Sequence, residues 1–163
     1  MKGDFTRDTF DPARHFSRVL MQQGRVQLDA DWNEQTAILM HYLQTLARDI
    51  FGPHGGPAGS GFALSDFSDK SFKIGRGHYY VDGLLCENEE DCWYQPVPDD
   101  PAFDQHQPHY VPSEEHRYRR PAAGTRLLAY LDVWEHYVTY AEDPSILEPA
   151  LGEVDTAARA RIL

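Results

Sequence analysis

From Asp31 to Gly52-Pro53 the chain carries a pattern that only an amphipathic helix accommodates. Asp31, with Glu34 three residues on, sets a capping-box-like start that satisfies amide donors left unpaired by a first helical turn. Ile38, Leu39, Tyr42, Leu43, Leu46 and Ile50 then follow at spacings of one, three and four. They share one stripe of a 3.6-residue period. Gln35, Gln44 and Arg48 fall on the opposite face. Gly52 supplies a left-handed stop, and Pro53 cannot continue a helix.

The residues ahead of this helix read as a bent arm. Asp11-Pro12 offers a cap followed by proline at a first helical position, which predicts a short helical turn through 14–20. Gly24 interrupts 19–23, so 25–28 is expected to run extended. Phe5, Phe10 and Phe16 are aromatic anchors set among charges, with little core of their own. An arm of that kind predicts an interface, to which it contributes Phe5, Phe10, Phe16, Leu20, Met21, Arg25 and Leu28. The helix adds Trp32, Ile38, Leu39, Tyr42, Leu43 and Leu46. Trp32, a large ring in a polar, acidic helix start, is either a local staple or an anchor for a partner. Asp29 or Glu34 could accept from its indole.

Beyond the helix, 53–61 is a Gly/Pro linker by composition. The alternation of Ser71-Phe72-Lys73-Ile74 predicts a strand. His78-Tyr79-Tyr80-Val81, the turn pair Asp82-Gly83 and Leu84-Leu85-Cys86 predict a hairpin, with a further strand through 92–95. The proline-, acid- and histidine-rich stretch 96–124 has no apolar period and is expected to project as a long loop. The run from Leu127 to Tyr140 has the strongest strand composition in the chain. Helical turns are expected near 146–151 and from Asp155, and the final Ile162-Leu163 lacks a cap or polar tail, which predicts continuation in a longer protein.

The expected class is α+β: extended arm and long amphipathic helix, Gly-rich linker, small antiparallel β-sheet and short C-terminal helices. The expected partition is 1–52 for assembly, 53–61 as linker, 62–140 as the β module with its loop 96–124, and 141–163 as a helical segment.

Chemistry is sparse. A net charge of −11, with 26 acidic against 15 basic side chains, repels phosphate backbones and anionic headgroups, so nucleic acid is not an expected partner. No run reaches the ~20 apolar residues of a membrane span. The amino terminus lacks the apolar core of a signal peptide, which predicts synthesis in the cytoplasm. Cys86 and Cys92 are too few for a disulfide scaffold and read as free thiols on or near strands. His106, His109 and His116, near Asp104, Glu114 and Glu115, form the densest potential ligand cluster. A proline-broken loop holds three or four zinc ligands poorly, so no metal is expected. Asp132 and Glu135 flank Trp134 as a glycosidase pair could, but residues three apart on a strand point to opposite faces. Gly75-Arg76-Gly77 lacks a phosphate-loop spacing, and Ser60 in Gly59-Ser60-Gly61 lacks that of a nucleophile elbow. No catalytic residue, cofactor or enzymatic activity is expected.

Two stretches resemble a known family: Met1-Lys2-Gly3-Asp4-Phe5-Thr6-Arg7-Asp8-Thr9-Phe10 with the following 15–35, and Tyr130-Leu131-Asp132-Val133-Trp134-Glu135 with Glu142-Asp143-Pro144-Ser145-Ile146 and Ala150-Leu151-Gly152. They are similar to a domain-of-unknown-function family often encoded beside contractile injection systems. The hairpin Gly77-His78-Tyr79-Tyr80-Val81-Asp82-Gly83 also resembles the start of some phage tail and baseplate proteins. The resemblance implies a structural baseplate, spike or fibre-attachment component, homo-oligomeric within a particle that is either released from cells or kept inside. It carries over no catalytic residue, and members tend to be longer. The rival reading is the front of a tail-spike-like glycan-binding adhesin or glycan-degrading enzyme, with Trp93 and Trp134 as sugar-stacking platforms.

Overall fold

The computed structural model describes Gly3 and residues 7–59, 61–108 and 117–163. The fold is α+β, with one long helix, small sheets and short 3-10 turns. The chain groups into two compact units. One comprises Met1–Pro53, Asp82–Leu84 and Glu135–Arg161, and the other His54–Val81, Leu85–Trp134 and Ile162–Leu163.

In the first unit, helix α1 spans Asp29–Phe51. It starts two residues ahead of Asp31 because Asp31 occupies the third helical position, where its carboxylate accepts the Leu28 N–H at 3.4 Å. Leucine offers no acceptor in return, so only the reverse half of a capping box exists here. Asp29 and Asp31 also place negative charge at the positive end of the helix dipole. Gly52, at φ 80°, ends α1 with its N–H on the Arg48 carbonyl.

The arm is less helical than its sequence predicts. A 3-10 turn forms at Pro12–Arg14 and stops at His15, which adopts a left-handed conformation, so the expected turn through 14–20 is absent. The cap is real: Asp11 Oδ1 accepts the Ala13 N–H at 2.9 Å. The same device recurs at Asp100-Pro101, Asp143-Pro144 and Glu148-Pro149, each carboxylate taking the N–H two residues on. Proline fixes the first φ, the acid satisfies a donor, and a single 3-10 turn results.

The C-terminal part is turn and strand. Its 3-10 turns lie at Pro144–Ile146 and Pro149–Leu151. The helical turn expected from Asp155 is not formed, and Arg159–Ile162 is a strand that pairs with the strand at Glu135–Val138. Trp134 and Leu163 exchange both backbone bonds, at 3.1 and 3.0 Å. The strand expected over 127–140 is therefore confined to its last third. Residues 127–133 have strand composition outside any ladder, and β-propensity without pairing does not make a strand.

In the second unit, β1 (His54–Gly55), β4 (Gly77–Val81) and β5 (Leu84–Asn88) form one sheet, and β2 (Leu64–Ser65), β3 (Lys73–Ile74) and β6 (Cys92–Trp93) another. The Glu135–Val138 and Arg159–Ile162 strands are β7 and β8. Asp82 and Gly83, at φ 49° and 81°, make the two-residue turn that the pair predicts between β4 and β5. β1 lies inside the stretch that composition marks as linker, with His54 opposite Val81 and Gly55 opposite Tyr80. The reason is steric: a Cβ on Gly56 or Gly61 would stand 2.8 or 3.0 Å from Tyr79 Cδ2, so these glycines admit the ring.

The described residues of the stretch 96–124 do not simply project. Trp93 bonds Gln105 and Gln107 through its backbone at 2.8 and 2.9 Å, and Tyr118 is buried. Phe72 stacks on Tyr94 at 4.7 Å and meets the edge of Tyr118 at 5.1 Å. Ser71, fully buried, exchanges bonds with the Gln95 backbone, while Gln95 Oε1 accepts the Tyr118 N–H at 2.9 Å.

Within the first unit, Arg48 Nε bonds Asp82 Oδ1 at 2.9 Å, and a Cβ at Gly83 would sit 2.8 Å from the Gln44 Cα. Gly83→Ala is expected to cost about 3 kcal/mol, since it adds a backbone collision to a left-handed torsion. Gly24→Ala, at φ 70° with open space around it, should cost about 1 kcal/mol. Denaturation midpoints followed by helix circular dichroism check the difference, and equal costs would show that the turn does not touch α1.

Candidate interaction surface

One face of α1 is covered by its own unit. Thr9 Oγ1 donates to Glu34 Oε2 at 2.5 Å, the Val19 N–H donates to Gln35 Oε1 at 2.9 Å, and the Phe10 ring lies 5.5 Å from that of His41. With the Arg48 contact at Asp82, the attachments at Glu34 and His41 follow one side of the helix, while those at Gln44 and Gln35 lie to either side of that line, Gln35 about 100° round from Glu34. Ile38 lies beside that line and is only 5% exposed. It is thus part of the chain's own core and not available as a contact residue, which corrects its place among the interface candidates.

The opposite face is bare. Trp32, Leu39, Tyr42, Leu43, Leu46 and Ile50 are all exposed, Trp32 at 60% and Ile50 at 65%. No hydrogen bond among the described residues joins the Trp32 indole to Asp29 or Glu34. Glu34 holds Thr9, and Asp29 takes the Ala30 N–H at 3.0 Å. The indole is therefore not tied to the acidic first turn, and most of the ring stands in solvent. On the arm, Phe16, Leu20, Met21, Arg25 and Leu28 are exposed, with the Arg14 guanidinium 4.3 Å above the Phe16 ring. Phe10 is half-buried, and Phe5 lies outside the described residues.

The buried apolar set among the described residues is small: Ala30, Ile38, Cys86, Cys92, Tyr118 and Val138. Full burial of a leucine, isoleucine or phenylalanine contributes roughly 1.5–3 kcal/mol, so the bare face of α1 forgoes a stabilisation that a partner surface would supply. Sequence periodicity locates this stripe. It cannot say which side of the helix its own chain covers.

The groups considered for chemistry do not converge. His109, Glu114, Glu115 and His116 lie outside the described residues, and His106 Nδ1 is 2.9 Å from the Asp104 carbonyl oxygen. Among the described residues no three acidic, histidine or cysteine side chains are placed to share a metal. Asp132 stands outside any strand and Glu135 opens β7, both exposed, so the strand argument that separates them does not apply in this structure. Arg76, His78, Glu87 and Glu89 line an open depression of about 550 Å³ in the second unit, where charges of both signs meet. Trp93 is half-buried against Phe103 at 4.6 Å, whereas Trp134 is exposed. No described helix is long and apolar enough to cross a membrane.

Cys86 and Cys92 are free and buried in β5 and β6. Burial pushes both thiols up, and for Cys92 the neighbouring Asp91 adds to the rise while a bond from Asn88 opposes it. A raised thiol stays neutral through pH 8, and the neutral form is the unreactive one. Both cysteines should therefore label with a disulfide reagent at pH 8 at least tenfold more slowly in the native chain than in denaturant. Fast native labelling of either would refute this inertness.

No curated protein and no solved structure matches the chain. Residues 1–163 match a family of unknown function, DUF6519, and the chain belongs to that family.

Proposed function

We propose that the chain is a structural component of a phage-tail-like contractile injection particle, at its baseplate, spike or fibre attachment, acting by subunit packing and not by catalysis. The observation that carries the reading is the pairing of an exposed apolar arm with a bare apolar face on α1. Side chains of this kind belong in the core of an obligate interface, which buries roughly 2,000 Å² or more and resembles a divided protein core. The likeness of its amino-terminal and later motifs to proteins encoded beside such particles supplies the setting. Its subunits are made in the cytoplasm, and its partners are other particle subunits.

The rival, a glycan-binding front of a tail spike, is favoured by the exposed Trp134 and Tyr130. Two measurements separate them. The assembly reading expects the chain in the high-mass sedimenting fraction of producing cells together with sheath- or tube-type proteins, and expects the variant Leu20→Asp/Leu28→Asp to leave that fraction by tenfold or more. A chain that stays in the light fraction and binds a glycan array in a Trp134-dependent way would overturn the assembly reading.

A further inference from the structure

The bare face of α1 has a finer pattern than amphipathicity alone. Trp32, Thr36, Leu39, Leu43, Leu46 and Ile50 follow one another at spacings of four, three, four, three and four. That is a 3.5-residue repeat, the signature of a seam against another helix and not against a flat surface. Thr36 fits the seam because its hydroxyl is already bonded to the Trp32 carbonyl at 3.1 Å, so it asks nothing of a partner. Glu34, His41 and Arg48, the residues on the covered side, are the positions that point away from such a seam.

We propose that this seam is filled by the same helix of a second copy, running antiparallel about a two-fold axis near His41. The inference rests on the assembly reading and names its first partner.

Charge selects a second copy. The chain carries −11, yet the seam positions are uncharged, and of the flanking Asn33, Gln35, Met40, Tyr42, Ala47 and Asp49 only Asp49 is ionic. A strongly acidic chain can face itself only across a surface of this kind, whereas a seam for a different helix gains specificity from flanking charges.

Side-chain size and charge select the antiparallel sense. Side by side in parallel, Trp32 meets Trp32, and the acidic turn at Asp29 and Asp31 meets its like. In the antiparallel pairing Trp32 lies across from Ile50 of the second copy, Thr36 from Leu46, and Leu39 from Leu43, so large residues meet smaller ones. Gln35, whose Oε1 holds Val19, keeps its amide N–H groups for Asp49 of the second copy. The two acidic first turns then lie at opposite ends of the pair, and the helix dipoles oppose.

The area suffices. α1 is about 34 Å long. Its exposed apolar seam and flanking residues, at roughly 100 Å² each, bring about 700 Å² per copy, close to the ~800 Å² per partner of a stable complex.

Disulfide trapping tests this with the chain as it is, since Cys86 and Cys92 are buried. Thr36→Cys and Leu46→Cys chains, mixed and mildly oxidised, should give a covalent dimer at least tenfold above either variant alone. A self-linked dimer of either single variant means parallel helices and overturns the proposal, as does an unmodified chain that is monomeric by light scattering at 50 µM. Leu43→Glu, a change at an exposed side chain, should halve the mass and leave the circular dichroism unchanged. An undiminished mass also overturns the proposal. Sedimentation of the same samples keeps the two readings apart. A monomeric chain that still enters the particle fraction sinks the seam and spares the assembly role, and a trapped dimer that never enters it does the reverse.

Discussion

Helix α1 has two sides, and its own unit provides covering for one. Thr9, Phe10 and Asp82 meet it along the line of Glu34, His41 and Arg48, and Gly83 and Val19 meet it at Gln44 and Gln35 to either side of that line. Apart from the Phe10–His41 ring contact, each attachment is polar or a close backbone approach, which fixes position without consuming much apolar area. Ile38 is the one large side chain of the stripe drawn inward. The functional reading follows from that division, because an apolar row left in water over about five turns is stable only while the remaining contacts outweigh its cost.

Local chemistry was legible in the sequence wherever one or two residues decide the backbone. Asp82-Gly83 is a turn because both torsions must be positive, and Asp11-Pro12 is a capped turn because proline and carboxylate each act within three residues. The stripe of α1 was legible for the same reason: a period is a local property. The start of the helix was misplaced by two residues, since Asp29 and Asp31 both qualify as first-turn acids and only the direction of the Leu28 N–H distinguishes them.

What the sequence concealed is decided by distant partners. The glycines at 56 and 61 look like spacer and instead make room for Tyr79, some twenty residues away. Residues 127–133 have the composition of a strand, and those from Asp155 to Arg159 that of a helical turn. The first stayed outside any ladder, and Arg159 was drawn into β8 by pairing with β7. Loop 96–124 carries no period because its order comes from isolated anchors, the Trp93 backbone and the Gln95 amide, rather than from a repeating face. The α+β class survived these errors because it depends on the helix and the β4–β5 hairpin, both locally encoded.

The second unit is organised around aromatic packing and polar groups used on backbone. Its best-packed feature is a set of rings around Phe72, held by a serine and a glutamine whose polar atoms are used on neighbouring backbone. Polar groups spent on architecture are not poised for substrate, and its two thiols are held toward their neutral form by burial. Exposed ion pairs such as Lys70 with Asp100 contribute little by themselves in water. In the first unit, by contrast, the bare face of α1 is apolar and linear, with Asp49 the one charge beside it. A surface built that way discriminates by shape and period, so the selectivity of its contacts should respond to side-chain size along α1 far more than to salt.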